Sequence, residues 1–236
     1  MTEKSLEGRL ALVTGASRGI GAATAEALAA GGAHVVLTAR TADDLEKVEE
    51  RIHAAGGSAT IAPLDLADCD GIVRLAAAVA DRWQALDILV LNAATLGSLA
   101  AVPAIDAKEF ARVLSLNLVA QQALIATFDP LLRQSDRARL LAVTSSVGRQ
   151  PRPYWGAYGA SKAALETLAL SYAEEVRNTS CVRVAIVDPG ATRTTMRVRA
   201  FPGEDPETLK PPSAVAEAIL ALLARDFETG ERLDVR

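Results

Sequence analysis

A chain of 236 residues, half of them apolar and only 4% aromatic, carries enough Ala, Leu and Val to fill a large core of helices packed on a buried sheet. A net charge of −4 without a long basic run argues against nucleic acid, and no continuous apolar run approaches the roughly 20 residues of a membrane span. Two cysteines (Cys69, Cys181) and two separated histidines (His34, His53) make neither a disulfide framework nor a metal cluster, so free buried thiols and no metal are expected.

The charged start MTEKSLEGRL has no signal-like apolar stretch, which predicts a cytoplasmic protein. Residues 10–14 read as a strand and 19–31 as a helix ended by Gly-Gly. A strand at 34–39 and an amphipathic helix at 42–55 follow, stopped by Gly56-Gly57. Then come a strand at 59–64, a helix at 69–83 and a strand at 87–92. A long helix starts at about Asp106 and is expected to break near Pro130. Residues 139–145 read as a strand, 155–178 as a long helix and 182–187 as a strand. The stretch 192–212 is polar and reads as irregular, before a helix at 213–225 and a short strand at 232–235.

Apolar runs such as ILVL and VAIV demand burial on both faces, which a parallel sheet between two helix layers provides. Strict βα alternation therefore predicts an α/β fold: a Rossmann-type, doubly wound parallel sheet of about seven strands with helices on both faces. No linker divides the chain, so 1–236 is expected to form a single domain. Ligands of such sheets bind outside the carboxyl ends of the strands.

After the first strand stands Thr14-Gly15-Ala16-Ser17-Arg18-Gly19-Ile20-Gly21. Its glycines permit a tight turn and close approach of the backbone, and the next helix aims its N-terminal NH groups at whatever lies there. A pyrophosphate suits that arrangement; a bare strand-to-helix turn is the alternative.

This glycine turn, with Asn92-Ala93-Ala94, Tyr158-Gly159-Ala160-Ser161-Lys162 and Asp188-Pro189-Gly190, resembles the short-chain dehydrogenase/reductase superfamily in its single-domain branch. The motifs stand in the family's order and span almost the whole chain. The stretches SSVGRQ, WGAYGASK and PGATRTTMRVRAFPGEDPETLK resemble more narrowly the YciK-like bacterial oxidoreductases, which brings no substrate with it. The resemblance implies a nicotinamide-dependent oxidoreductase acting on a carbonyl or alcohol (EC 1.1.1.-). It also implies adenine-side contacts at Asp65 and Leu66, with a helix N-cap as another use of Asp65. Further contacts fall at Asn92, Ala93 and Ala94 and, on the nicotinamide side, at Pro189, Gly190, Thr192 and Thr194. Ala94 stands where Gly is more usual, which adds a methyl to that turn.

The cofactor is read from the end of the second strand. An acidic residue there would accept from a free 2′-hydroxyl; this chain has Ala39 followed by Arg40, with Arg18 in the glycine turn. Two guanidiniums suit a 2′-phosphate, which predicts NADP(H) over NAD(H) unless Arg40 is merely a solvated surface residue.

Tyr158 and Lys162 lie four apart in a helical run, on one face. A phenol can give a proton to a carbonyl oxygen as hydride reaches carbon, and a nearby ammonium favours the phenolate. Bringing the phenol from about 10 to about 8 takes ~2.7 kcal/mol of differential stabilisation. Ser145 could hold the substrate oxygen. By resemblance Asn117 holds a water linking Lys162 to solvent, which completes the tetrad Asn117, Ser145, Tyr158 and Lys162. Tyr158 and Lys162 also border the cofactor.

The 192–212 stretch, with Arg193, Arg197 and Arg199, reads either as a mobile substrate lid whose arginines meet an anionic substrate or as a solvated loop. Residues 150–155 form another wall, with Tyr154 and Trp155 as apolar contacts. Enoyl reduction is disfavoured, because related enzymes of that kind separate Tyr from Lys by six residues. A catalytically idle NADP-binding sensor and an oligomeric binding protein remain as alternatives. The two long Ala/Leu-rich helices suit a homodimer or homotetramer, with a small-molecule substrate as the other partner.

Overall fold

The computed structural model describes residues 5–236, so the first four positions of the charged start lie outside the described residues. Strand β1 (Leu10–Thr14) turns into α1 (Gly19–Ala30), followed by β2 (His34–Ala39), α2 (Ala42–Ala54) and β3 (Ser58–Pro63). Helix α3 (Cys69–Ala80) leads to β4 (Ile88–Leu91), then to α4 (Ala107–Leu114) and α5 (Ala120–Gln134). β5 (Arg139–Val143), α6 (Gly156–Val176) and β6 (Arg183–Asp188) come next. α7 (Thr195–Ala200), α8 (Pro212–Leu223) and β7 (Glu231–Asp234) close the chain.

The seven strands make one sheet in the order β3-β2-β1-β4-β5-β6-β7, with every neighbouring pair parallel. Val13 of β1 sits in register with Leu37 of β2 on one side and Val90 of β4 on the other. The chain winds outward in both directions from this central pair, so a crevice opens at the carboxyl ends of β1 and β4. Alternation divides the core. β1 sends Ala11 and Val13 into the layer shared with α1, α2 and α8, and Leu10 and Leu12 into the layer shared with α3, α5 and α6. Each such Leu, withdrawn from water, contributes roughly 1.5–3 kcal/mol.

Three expectations need correction. The long helix does not break at Pro130, which lies inside α5. Pro130 and Ala126, one turn before it, are both exposed, so water can serve the carbonyl that proline leaves without a donor. The interruption is instead a π-turn, Ser115–Val119, between α4 and α5. Within the combined run Ala107–Gln134 an 18-residue window has a mean hydropathy of 1.2, so the run is by length and composition long and apolar enough to cross a membrane. Here Leu124, Ile125, Phe128 and Leu132 face the α3 and α6 layer, which accounts for its apolar character.

The stretch 192–212 is not irregular throughout: it holds α7 and a 3-10 turn, Pro206–Thr208. Thr194 starts α7 by accepting Arg197 N–H at 3.2 Å. Finally, Cys69 and Cys181 are free but exposed, since one opens α3 and the other lies in the turn before β6.

Candidate active site

The glycine turn is built by close contact with β4. A Cβ on Gly21 would lie 2.2 Å from the Gly15 carbonyl and 2.5 Å from Asn92 Nδ2, so no other residue fits. Gly15 and Gly19 take positive φ (65° and 57°), the conformation that bends β1 into α1. α1 has no acidic residue in its first turn, and Arg18 at its N-cap makes no side-chain capping bond. Its N-terminal NH groups and dipole therefore remain available to an anion. Ser17 and Ile20 are half-buried in this turn.

Asn92 holds the turn in place. Its Nδ2 donates to Thr14 O at 2.8 Å and Gly15 O at 3.3 Å. Thr14, which opens the motif but was given no role from sequence, is fully buried. Its hydroxyl donates to Val90 O and accepts from the N–H groups of Asn92 and Ala93. A threonine ending a strand that turns into glycine was the only available signal. Ala94 is half-buried beside them.

Arg18 and Arg40 are exposed beside the ends of β1 and β2, and neither enters a salt bridge among the described residues. Ala16 N–H donates to Thr38 O at 3.2 Å, which ties the turn to β2. Asp65 is exposed and accepts from Ala67 N–H at 3.0 Å, while Leu66 is buried in the core. The cap of α3 is Asp68, which accepts from Gly71 N–H at 3.0 Å, so Asp65 is free of that duty.

Tyr158 and Lys162 project from the first turns of α6 and are 8% and 1% exposed. Lys162 Nζ lies 5.8 Å from the Tyr158 ring centre and donates to Val143 O at 2.7 Å. Burial lowers the amine to about 8. Burial also pushes the phenol up, and the Asp188 charge adds to that. This corrects the expectation of an acidic phenol: without cofactor charge nearby, desolvation outweighs the amine.

Ser145 lies two residues beyond β5, half-buried, at the start of the 3-10 turn Ser146–Gly148. That turn docks on α6 because Gly148 and Gly159 leave room. A Cβ on Gly148 would meet Ala163 N at 2.9 Å, and one on Gly159 would meet Val147 O at 3.0 Å.

Asn117 is fully buried in the π-turn. Its Oδ1 accepts from Thr95 N–H at 2.8 Å, and its Nδ2 donates to Thr95 O at 2.9 Å and Ser161 Oγ at 3.0 Å. Ser161 donates to Tyr158 O at 2.7 Å, which makes Asn117 a brace between the segment after β4 and α6.

After β6, Asp188 accepts from Gly190 N–H and from Arg149, both at 3.0 Å. Arg149 also meets Asp234 at 2.9 Å. Thr192 is buried and donates to Pro189 O at 2.9 Å. Thr194 covers the glycine turn closely enough that a Cβ on Gly19 would meet its methyl at 3.4 Å. Arg193 pairs with Glu207 at 2.6 Å and Arg197 with Glu204 at 2.5 Å, so neither is free to meet an anion.

A parallel sheet with a braced glycine turn at its switch point and a buried Tyr–Lys pair at its carboxyl edge defines an oxidoreductase of Rossmann type. The chain belongs to the short chain dehydrogenase family, whose model matches residues 9–205. It is 37% identical over 236 residues to the uncharacterized oxidoreductase YciK of Escherichia coli, covering 98% of this chain and 93% of that one. Among solved structures, a chain from Pseudomonas syringae assigned to the short chain dehydrogenases superposes with a TM-score of 0.96 at 38% identity, over 99% of this chain and 97% of that one. A short chain dehydrogenase of Escherichia coli CFT073 in complex with NADPH superposes with a TM-score of 0.95 at 36% identity, over the full length of both.

Proposed function

We propose that the chain works as one NAD(P)-binding domain that moves a hydride between NADP(H) and a carbonyl or secondary alcohol, with Tyr158 passing the proton. The carrying observation is the buried Tyr158–Lys162 pair at the carboxyl edge of the sheet, next to an anion-ready glycine turn. The NADPH complex of the similar Escherichia coli chain supports the choice of cofactor.

The residues present fit that group. Gly15, Ser17, Arg18, Gly19, Ile20 and Gly21 would hold its pyrophosphate against α1. Arg18 and Arg40, exposed and unpaired among the described residues, would hold the 2′-phosphate. Asp65 and Leu66 would border the adenine, Asn92, Ala93 and Ala94 would make further cofactor contacts, and Pro189, Gly190, Thr192 and Thr194 would form the nicotinamide side. When bound, the group supplies or takes up the hydride.

In carbonyl reduction the substrate oxygen accepts from Ser145 and receives the Tyr158 proton. A phenol kept protonated by burial is ready for that step. Charged Lys162 stabilises the phenolate that forms, and Asn117 keeps its place as the outer member of the relay. The reaction is expected in the cytoplasm, from a homo-oligomer.

The test is kcat/KM with NADPH and NADH for the wild type, Arg18→Ala and Arg40→Ala. NADPH should be preferred at least about tenfold, and each substitution should cost NADPH about tenfold, near the lower end for bonds to charged groups because both arginines are exposed. Equal efficiency with NADH contradicts the assignment.

A further inference from the structure

We infer that the substrate is a carbonyl compound whose body is uncharged and apolar, gripped by Trp155 and Phe201; this rests on the hydride-transfer reading and names its substrate class. Around Tyr158 lies a small cluster separate from the two core layers: buried Leu96 and Val147, with half-buried Leu99, Trp155, Met196 and Ala200 packed on them. The Trp155 ring meets the Tyr158 ring nearly edge-on, with centres 6.0 Å apart. On its other flank it lies 5.6 Å from the Phe201 ring, tilted by 31°. Half-buried apolar groups beside a reactive hydroxyl are the usual lining of a small-molecule site.

The apolar character continues outward. Among the described residues five large apolar side chains are exposed, and three of them, Val102, Tyr154 and Val198, stand on the segments that carry this cluster. A Cβ on Gly156 would meet Val102 at 3.1 Å; Tyr154 precedes Trp155; Val198 lies on α7 between Met196 and Ala200. Exposed apolar groups gathered at one mouth mark a binding surface.

The frame that presents Trp155 is fixed. Tyr154 takes φ 73°, a conformation costly for a residue with a Cβ, and its carbonyl accepts from Ala100 N–H at 3.1 Å. Phe201 is held by the guanidinium of Arg197, 3.9 Å above its ring, and that guanidinium is doubly bonded to Glu204. The two half-buried arginines of this wall are neutralised inside their own segment, since Arg193 pairs with Glu207 as well. Lys210 donates to Ala191 O, and Arg152 and Arg199 are exposed outside the cluster. A carboxylate held between Trp155 and Phe201 would lose water and find the nearest guanidinium, Arg197, already bonded to Glu204.

The experiment has two arms. In the first, NADPH consumption is followed with 2-octanone against 2-oxooctanoate, and with acetophenone against benzoylformate. The uncharged member of each pair should lead by at least about tenfold in kcat/KM, and Trp155→Ala or Phe201→Ala should lower the 2-octanone value about tenfold or more, mainly through KM. In the second, Trp155 fluorescence is read in the Trp83→Phe chain, which removes the only other tryptophan. Saturable quenching by ethylbenzene but not by 4-ethylbenzenesulfonate is expected. Quenching without turnover of any carbonyl upholds the apolar grip while defeating the hydride-transfer reading. Turnover that favours the carboxylates, or quenching by the sulfonate equal to that by ethylbenzene, overturns the inference and leaves hydride transfer standing.

Discussion

At the N-terminal foot of the sheet a cavity of about 710 Å³ is lined by Arg9, His34, Ser58, Trp83, Asp87 and Ser135, among others. The carboxyl rim instead carries Ser145, Tyr158 and Lys162. At the foot most polar groups are spent on one another. Asp87 accepts from Leu10 N–H at 2.8 Å and Ser135 Oγ at 2.7 Å, and the His34 ring bonds Ser58 and Thr60. Arg9 and Arg139 are exceptions, with two buried nitrogens and one, respectively, unpartnered among the described residues. At the rim the scaffold is bonded, and of the reactive groups Lys162 alone is tied to it, through Val143 O at 2.7 Å. Asn92, Asn117 and Ser161 hold backbone and helix, whereas the hydroxyls of Ser145 and Tyr158 make no hydrogen bond among the described residues. A large hollow does not mark chemistry; a rigid frame around unspent polar groups does.

The strongest way to break this contrast is to alter the rim's charge. Lys162→Met should lower kcat for carbonyl reduction about 10²–10³-fold, on the scale of general acid–base catalysis. In the wild type, Lys162 titrates at about 8, so it is charged below that pH and neutral above it. Reduction should therefore decline as pH rises through about 8, and the residual activity of Lys162→Met should lack that decline. An unchanged pH–rate profile in the variant would remove the amine from the mechanism.

A gentler change is Asp188→Asn. After burial, its carboxylate is what raises the Tyr158 phenol, so neutralising it should lower the phenol and move the acidic, rising limb of alcohol oxidation, where Tyr158 must lose its proton, to lower pH. Profiles of kcat/KM for both enzymes test this; a limb that stays put or moves upward contradicts it. At the foot, Asp87→Ala should leave kcat unaltered and cost about 1–3 kcal/mol of stability, because Leu10 N–H loses its buried acceptor. Thermal unfolding and a rate assay on the same sample check it, and a fall in kcat without a fall in Tm would erase the contrast.

The order of strands and helices was legible because each run buries two faces or one, and that periodicity is local. Gly15 and Gly19 were legible because the bend from β1 into α1 needs their positive φ, whereas the approach of Asn92 to Gly15 and Gly21 was not. What depends on distant partners was not. The π-turn around Asn117 is set by Thr95 and Ser161, from 22 and 44 residues away. α7 forms where polarity suggested a loop, because Glu204 and Glu207 absorb the charges of Arg197 and Arg193. The phenol was expected to be acidic from its lysine and a bound cofactor's positive charge; the burial that raises it, and then Asp188 on another element, depend on the tertiary fold. Both cysteines were expected inside by residue type, yet their positions at element ends put them outside.

The claim that Tyr158 passes the proton is tested most directly by Tyr158→Phe, with NADPH binding and turnover measured on the same preparation. Loss of turnover by about 10³-fold or more, with the NADPH dissociation constant changed less than about threefold, is the predicted result. Turnover within about tenfold of the wild type at unaltered NADPH affinity would contradict the account.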